Sequence, residues 1–316
     1  MRLTAIVPTH DRPDALRACL GTLGRQHVGP GRLEVLVVDD GSTTDIAGLV
    51  DDVARGSGVV MRCERQALGG LNAARNRGAA VAGGDVLAFL DDDTLVSPGW
   101  ADAMLSAFGL NPCAGLGGKI ELDVSGPLPA WLAARKYYLA EYDLGPQPRW
   151  LDGDPVPVGA NCAVRRSDFE RLGGFRVGLD RIGHSLVSNG DTEFFRRLRG
   201  AGGRLRYEPA AAVVHCVPRE RLTLEFFLRR DFSQGVSDEL MFALEQPLPR
   251  PRRLARLGSE LARELRPMGE TVAKDLVRGR GTVNARLFAS YWRGRLSAVR
   301  NAPGATRPGS ATPGSR

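Results

Sequence analysis

The first 90 residues alternate short apolar runs with segments of helical spacing. Four runs rich in Val, Ile and Leu show little polar alternation, which is typical of strands that are covered on both faces. They lie at residues 3–7, 33–38, 59–63 and 86–90. Three segments of helical spacing separate them, at residues 14–25, 45–55 and 71–82. The pattern predicts a βαβαβαβ start and an α/β fold built on a parallel sheet.

The pattern changes after about residue 116 and predicts mixed strands that extend this sheet. Strands are expected at 117–122, 156–165, 205–207 and 211–215, with a helix at 191–199 and an aromatic segment at 131–142. We expect this second half to form the side of the protein that receives a second substrate.

Beyond residue 222 the sequence becomes helical and rich in arginine. Leucines at positions 254, 257, 261 and 265 fall on one helical face with arginines nearby. Such a basic amphipathic helix either packs back on the protein or lies on a membrane surface. Residues 301–316, rich in Pro, Gly, Ser and Thr, predict a disordered tail.

Composition and charge narrow the class of protein. The 316 residues are 43% hydrophobic and 25% charged, enough to bury a sizeable core. The net charge of +7 comes mainly from arginines near the C-terminus, so the front half predicts no nucleic-acid surface. Five scattered cysteines without a CxxC pair argue against disulfides and zinc. No window approaches 18 apolar residues, and the predicted location is cytoplasmic.

Polar clusters follow the predicted strands at the points where the strands end. Residues 8–12 follow the first strand, residues 39–42 the second, and Asp91, Asp92 and Asp93 the fourth. Open sheets of this kind bind ligands at the carboxyl ends of their strands. The three clusters are therefore expected to meet on one ligand.

The aspartate triplet is the strongest chemical signal. Adjacent carboxylates repel one another unless a cation lies among them, and Mg²⁺ or Mn²⁺ held by carboxylates often binds substrate phosphates as well. The alternative is a solvated acidic turn. Arg75 and Arg77, near the start of the third helix, could face a phosphate or simply solvent.

Read in order, these clusters resemble the successive motifs of family 2 glycosyltransferases with the GT-A fold. The resemblance covers about residues 3–235. It is carried by the stretches 7–12 (VPTHDR), 37–43 (VVDDGST), 74–78 (ARNRG), 89–93 (FLDDD), 159–161 (GAN), 165–166 (RR), 173–175 (GGF) and 189–194 (NGDTEF). It implies a Rossmann-like fold with a mixed central sheet, and inverting transfer of a hexosyl or deoxyhexosyl group from a nucleotide-diphosphate sugar to a hydroxyl acceptor, assisted by Mg²⁺ or Mn²⁺.

The resemblance also implies site residues. Nucleotide-binding positions are Pro8, Thr9, Asp11, Asp39, Asp40, Arg75, Asn76 and Asp92. Metal ligands are Asp91, Asp93 and His215, and the donor and acceptor pocket includes Asn161, Glu193 and Arg219. Asp191 matches the general base, which removes the proton of the acceptor hydroxyl.

Two of these assignments have local alternatives. The family usually has an acidic residue before the base, and this chain has Gly190. Asp191 could instead cap the following helix, with Glu193 as the reserve base. His215 could be a hydrogen-bonded core residue rather than a metal ligand.

The resemblance predicts a transferase domain at 1–235, with a nucleotide-binding half at 1–120 and an acceptor-binding half at 121–235. A helical basic extension at 236–300 and the tail at 301–316 would follow. UDP or dTDP is the favoured nucleotide, with GDP as the alternative, and the expected acceptor belongs to polysaccharide or glycoconjugate biosynthesis. Peripheral contact with the inner face of the membrane would go through the basic helices.

Other functions remain open in the sequence. A catalytically degenerate binding or scaffold subunit would explain Gly190. A metal-dependent phosphohydrolase of the DxDGT type would need threonine at position 95, where the chain has leucine. A dinucleotide-binding dehydrogenase would need G-x-G-x-x-G after the first strand, which is absent.

Overall fold

The computed structural model describes residues 1–124, 126–183, 185–277 and 282–301. The chain divides into two compact units, Met1–Thr223 and Leu224–Arg316. The predicted domain boundary after residue 235 falls inside the helix Leu224–Glu245. Residue 301 ends the last helix, and the rest of the predicted tail lies outside the described residues.

The N-terminal half of the first unit is a parallel sheet flanked by helices. Its elements are β1 (Leu3–Thr9), α1 (Pro13–Leu23), β2 (Leu33–Asp40), α2 (Ile46–Arg55), β3 (Val60–Gln66), α3 (Leu71–Val81) and β4 (Val86–Leu90). β1 pairs in parallel with β2 and β4, and β2 pairs in parallel with β3. All residues of β1, β2 and β4 are buried, because helices cover both faces of the sheet.

The rest of this unit continues the sheet with mixed pairing, as predicted. Its elements are β5 (Thr94–Val96), α4 (Trp100–Leu110), β6 (Gly115–Val124), β7 (Arg149–Trp150), β8 (Asn161–Arg165), α5 (Arg166–Leu172), α6 (Gly190–Gly200) and β9 (Leu205–Val217). β8 is antiparallel to β4 and β6, whereas β6 and β9 are parallel. Two short 3₁₀ segments, Ala133–Leu139 and Arg219–Leu222, complete the unit.

The structure differs from the sequence prediction in several elements, and the short strands β5 and β7 were not predicted. The strand expected at 156–165 begins only at Asn161, and the strands expected at 205–207 and 211–215 form one strand, β9. Pro209 lies within β9, where the irregular pairing with β6 accommodates it. Helices α4 and α5 were not predicted. The exposed side of α4 carries Gly109 and Leu110 beside Asp102 and Ser106, so the sequence shows no clear polar face there.

Asn161 compensates the irregular pairing between β6 and β9, whose register shifts between Gly118 and Ile120. Its side-chain amide donates to the carbonyls of Lys119 at 3.0 Å and Ala211 at 2.8 Å. Its side-chain oxygen accepts the indole N–H of Trp100 at 3.0 Å. Asn161 is fully buried, and its amide therefore pairs polar groups that the irregular pairing would leave without partners.

The second unit consists of three helices, α7 (Leu224–Glu245), α8 (Arg250–Val277) and α9 (Val283–Asn301). α7 and α9 cross at two glycines, Gly235 and Gly294. A Cβ atom at either position would overlap the backbone carbonyl of Tyr291 or Phe232, respectively. The close crossing of these helices therefore requires glycine at both positions.

The predicted amphipathic helix packs part of its apolar face within this unit. Leu257 is buried against Trp292 and Val299 of α9, while Leu254 and Leu265 are 38% and 53% exposed. Arg256 turns inward and donates to the fully buried carboxylate of Glu239 at 2.5 and 2.7 Å. No helix in the described ranges is both long and apolar enough to span a bilayer.

We expect replacement of Asn161 by leucine to destabilise the protein strongly. Asn161→Leu leaves two buried carbonyls and an indole N–H without partners, and each such group costs roughly 1–3 kcal/mol. The free energy of unfolding, measured by urea denaturation, should fall by about 3 kcal/mol or more. Asn111→Leu is the matched control, because the half-buried Asn111 donates to one carbonyl only, that of Ala107. A loss no larger than that of the control would contradict this role of Asn161.

Candidate functional site

A cleft with a volume of about 260 Å³ lies at the carboxyl ends of β1, β2 and β4. The three polar clusters that follow these strands all contribute to it. Its described lining residues are Pro8, Thr9, His10, Arg12, Asp40, Leu68, Leu71, Ala74, Asp91, Asp92, Asp93, Arg181, Gly183, Ser185, Leu186 and Arg221. The sheet thus brings together residues that are more than 200 positions apart in the chain.

Within the aspartate triplet, Asp92 contacts the end of β1 and the residues that follow it. Its carboxylate accepts hydrogen bonds from the Thr9 hydroxyl at 2.7 Å and from the Arg12 guanidinium at 2.5 Å. Burial raises the pKa of Asp92 to about 7, and the charges of Asp93 and Asp91 add to this effect, although Arg12 and Thr9 oppose it. The contacts from Thr9 and Arg12 thus offset part of the cost of burying the carboxylate.

Of the three aspartates, Asp93 has the most charged partners. Its Oδ2 accepts from Arg12 at 2.8 Å and from Arg221 at 3.3 Å, and its Oδ1 lies 3.2 Å from His215 Nε2. Burial opposes ionisation of Asp93, but His215 and the two arginines outweigh it and lower the pKa of its carboxyl group. Burial lowers the pKa of His215, but the hydrogen bond and negative charge of Asp93 outweigh this effect and raise it.

The pairing of His215 with Asp93 fits a cation. His215 Nδ1 lies 2.7 Å from the carbonyl of Leu139, which can only accept, so Nδ1 carries a hydrogen. Nε2 faces Asp93 Oδ1 and carries a hydrogen when His215 is protonated, or presents its lone pair when His215 is neutral. Asp93 Oδ1 is buried and lacks a hydrogen bond of normal geometry from any described residue. Adjacent ligands of an octahedral ion with bonds of about 2.1 Å are about 3 Å apart, close to the separation seen here.

This pair does not form a complete metal site. Within the described ranges, no group of three or more His, Cys, Asp or Glu side chains is arranged to hold a metal ion. Asp91 is the third predicted ligand, and its carboxylate pairs with Arg75 at 3.1 Å. Asp93 and His215 therefore offer two ligands, and other ligands would have to come from Asp91, water or a bound phosphate.

The loop after β2 contributes Asp40 to the cleft. Asp40 accepts from Gln66 Nε2 at 2.7 Å and from the backbone N–H groups of Gly69 and Gly70 at 2.8 and 2.9 Å. Asp39 points elsewhere, accepting from Ser42 N–H at 2.8 Å, and does not line the cleft. A carboxylate has about four acceptor positions, so Asp40 retains one for a ligand.

Asp11 connects the loops that follow β1 and β2 without lining the cleft. It adopts φ of +50°, in the left-handed region, and its carboxylate accepts from the N–H and hydroxyl of Thr43 at 2.7 and 2.9 Å. The Thr43 backbone hydrogen bond is the main cause of the lowered pKa of Asp11. Asp11 thus fixes the loop from which Arg12 reaches the aspartates.

Asp191 lies in the first turn of α6. Its Oδ2 accepts the N–H of Gly159 at 2.7 Å, and its Oδ1 accepts the N–H of Thr192 at 2.7 Å. The carbonyl of Gly159 accepts from Arg75 at 2.9 Å, and Arg75 also pairs with Asp91. Asp191 is thus linked to the aspartate triplet through two intervening residues, Gly159 and Arg75.

The structure explains why glycine precedes Asp191. A Cβ atom at position 190 would overlap the side-chain amide of Asn72 and come within 2.8 Å of the carbonyl of Leu179. Asn72 therefore fills the space that a side chain at position 190 would need.

Seven other predicted residues are not among the described lining residues of the cleft. Arg75 and His215 contact aspartates that line it, and Asp191 is linked to these through Gly159. The remaining four lie elsewhere. Asn76 exchanges two hydrogen bonds with the backbone of Phe175, at 2.8 and 2.9 Å. Glu193 pairs with Arg176 at 2.8 Å and Arg197 at 2.9 Å. Asn161 serves the irregular β6–β9 pairing, and Arg219 is exposed on a 3₁₀ turn. Their predicted contacts with substrate remain untested.

Three arginines of the cleft were not assigned a role from the sequence. Arg12 and Arg221 each sit within a stretch that carries other predicted residues, and their charge was the available signal. Arg181 lies in the irregular segment before α6, where no motif marks it. Only the folded chain shows that all three line the same cleft as the aspartates.

Comparison with known proteins identifies the family. The profile described as "Glycosyl transferase family 2" matches residues 4–173, which is more than half of the chain. The chain belongs to glycosyl transferase family 2. The predicted family and the transfer of a sugar are thereby confirmed.

Two curated proteins resemble this glycosyltransferase over most of their length. A glucosyl-dolichyl phosphate glucuronosyltransferase from Haloferax volcanii is 25% identical over 245 residues, covering 76% of this chain and 77% of that protein. The succinoglycan biosynthesis protein ExoM from Rhizobium meliloti is 28% identical over 233 residues, covering 72% and 71%.

A solved structure shows the same fold. A mannosyltransferase from Pyrobaculum calidifontis, in complex with GDP-Man and Mn²⁺, superposes with a TM-score of 0.62 and 20% identity, covering 96% of this chain and 88% of that one. The predicted GT-A fold with a mixed sheet and a helical C-terminus is therefore confirmed.

Proposed function

We propose that this family 2 glycosyltransferase inverts configuration while it moves a sugar from a nucleotide-diphosphate donor to a hydroxyl acceptor. The observation that carries the proposal is the cleft itself. Asp93, which pairs with the buried His215 in an arrangement suited to a cation, lines the cleft together with Arg12, Arg181 and Arg221. Carboxylate, imidazole and arginine groups together match a metal-bound diphosphate.

The nucleotide end of the donor would occupy the region around Thr9 and Asp40. The remaining acceptor position of Asp40 suits an N–H of a base or a ribose hydroxyl. UDP or dTDP stays our favoured nucleotide, with GDP as the alternative, and the related mannosyltransferase structure contains GDP-Man.

Asp93 and His215 would hold Mg²⁺ or Mn²⁺, with Asp91 as a further ligand. The metal, when bound, would neutralise charge that develops on the departing diphosphate. His215 is prepared for this role because its Nδ1–H is fixed on the Leu139 carbonyl, which directs Nε2 toward Asp93. Arg12 and Arg221 remain near Oδ2 and can turn unused N–H groups toward phosphate oxygens.

Asp191 would act as the general base. The acceptor oxygen forms a bond to the anomeric carbon as the bond from that carbon to the diphosphate breaks, and the hydroxyl proton passes to Asp191. Backbone N–H groups of Gly159 and Thr192 hold the carboxylate in place. Glu193 is a weaker candidate because it is engaged with Arg176 and Arg197.

The helical unit would contact an anionic membrane surface, consistent with a cytoplasmic protein at the inner face. Residues 224–316 contain 17 Lys and Arg against 9 Asp and Glu, whereas residues 1–223 contain 26 against 27. On α8, Leu254 and Leu265 are exposed beside the exposed arginines 252, 263 and 266. Exposed leucines next to basic residues suit the interface of an anionic bilayer.

Metal and nucleotide binding can be tested by thermal unfolding with Mn²⁺ alone and with Mn²⁺ plus UDP, dTDP or GDP. A ligand at 100 times its Kd adds about 2.7 kcal/mol, so we expect the Tm to rise by about 5 °C or more. Asp93→Ala and His215→Ala should abolish the Mn²⁺-dependent part of the rise. His27→Ala, at an exposed position, is the matched control. A full Mn²⁺-dependent rise in both site variants would refute the proposed ligands.

The role of Asp191 predicts a separation of binding from turnover. Asp191→Asn should retain the Mn²⁺-dependent rise in Tm but lower the release of nucleoside diphosphate from the donor roughly 10²- to 10⁴-fold. UDP-glucose, dTDP-rhamnose and GDP-mannose serve as test donors. Asp102→Asn, exposed on α4, is the control. If Glu193→Gln loses turnover while Asp191→Asn keeps it, the base has been misassigned.

Membrane contact can be measured by sedimentation with vesicles of phosphatidylglycerol or phosphatidylcholine. We expect binding to the anionic vesicles only, and at least a tenfold weakening in the double variant Leu254→Asp/Leu265→Asp, because each change removes apolar area and adds repulsion. Leu110→Asp is the control, since Leu110 is 84% exposed in the first unit. Equal binding to both kinds of vesicle, or none at low salt, would argue against the contact.

A further inference from the structure

Gly159 lies between the two halves of the proposed catalytic machinery. Its N–H donates to Asp191 Oδ2 at 2.7 Å, and its carbonyl accepts from Arg75 Nη2 at 2.9 Å. The same Arg75 nitrogen also donates to Asp91 Oδ1 at 3.1 Å. One residue therefore connects Asp191 to the aspartate triplet through a single guanidinium.

The surrounding side chains hold the Arg75 guanidinium in place. Its side chain is 4% exposed, and its guanidinium lies 5.5 Å from the centre of the Phe175 ring. Phe175 packs against Phe89 and Phe194, with ring centres 4.9 Å apart in each case. Asn76 fixes the Phe175 backbone through two hydrogen bonds. Arg75 is thus held from behind by an aromatic cluster and has little room to move.

A side chain at position 159 would crowd the ends of Arg75 and Asp191. A Cβ atom there would lie 2.8 and 3.0 Å from the two terminal nitrogens of Arg75 and 3.0 Å from Asp191 Oδ2. The atoms that would have to give way are the ends of those two side chains. A methyl group at this position would therefore move the guanidinium, the carboxylate or both, while the surrounding backbone could keep its path.

We propose that Gly159 is a positioning residue that sets the place of Asp191 relative to Asp91 through Arg75. This inference rests on the proposed role of Asp191 as the base. Occupation of the donor site would act on Asp91 and Arg75, and the Arg75 nitrogen shared with Gly159 transmits any shift toward Asp191. Gly159 itself touches no reacting atom in this arrangement.

The test is Gly159→Ala, compared with Gly200→Ala at the end of the helix that carries Asp191. A Cβ at position 200 meets nothing within 4 Å, so this control changes composition without displacing a neighbour. Donor turnover is read as nucleoside diphosphate release from UDP-glucose, dTDP-rhamnose and GDP-mannose with Mn²⁺. We expect Gly159→Ala to lower kcat roughly 30- to 100-fold with donor KM within about threefold, because small displacements of catalytic groups have effects of this size.

A double-mutant cycle tests whether the effect passes through Arg75. Arg75→Lys keeps the charge but loses the guanidinium fork, and should lower kcat at saturating donor. If Gly159→Ala acts by displacing Arg75, the double variant should be no slower than the slower single variant. Losses that multiply would overturn the connection. If Gly159→Ala shows no cooperative thermal transition, it has not folded and its kcat carries no information. In that case an unchanged kcat in Arg75→Lys would overturn the proposed connection.

The outcomes separate this inference from the proposed function. Turnover that survives in Asp191→Asn removes the base assignment, and the positioning role falls with it. Loss of turnover in Asp191→Asn, together with normal kcat in Gly159→Ala, leaves the base in place and refutes only the role of Gly159. A raised donor KM with normal kcat in Gly159→Ala would also refute it.

Discussion

The burial of the Asp93 carboxylate is the interaction on which the architecture of the cleft depends. A buried carboxylate is strongly unfavourable unless charged or hydrogen-bonding groups surround it. Here they come from two distant parts of the chain: Arg12 lies just before α1, whereas His215 in β9 and Arg221 in the following 3₁₀ turn lie near the end of the unit. The Asp93 carboxylate, just after β4, is stabilised only when the first and last elements of the unit meet at one edge of the sheet.

The sequence predicted the scaffold of the cleft well, for a physical reason. Buried parallel strands need unbroken apolar runs, and the residues that follow them meet at one edge, so Thr9, Asp40 and the aspartates could be placed together. The use of particular polar groups could not be predicted. Asn76 and Asn161 look like ligand-binding amides, yet both pair with backbone groups about 40 to 100 residues away. Such pairings depend on register and irregularity, which periodicity does not encode.

In the helical unit, too, the sequence does not show which charged side chains pair inside the protein. Its arginine-rich sequence suggests a basic outer face, but Arg253, Arg256 and Arg295 converge on Glu239, which is completely buried. A composition records how many charges a helix carries and not which of them point inward. The close crossing of α7 and α9 at Gly235 and Gly294 brings Arg295, which follows Gly294, within 2.6 Å of Glu239, which lies one turn after Gly235.

The packing of Gly190 against Asn72 has a consequence for how this site can vary among related sequences. The amide of Asn72 occupies the volume beside Gly190, so an acidic residue cannot enter position 190 while Asn72 is present. Conversely, a smaller residue at position 72 alone would open a void and release the carbonyl of Arg176 from its partner. Positions 72 and 190 are therefore coupled, and because the Leu179 carbonyl would also lie within 2.8 Å of a Cβ at position 190, an exchange between the glycine and acidic forms of the site requires a change at position 72 and a shift of the backbone at 179.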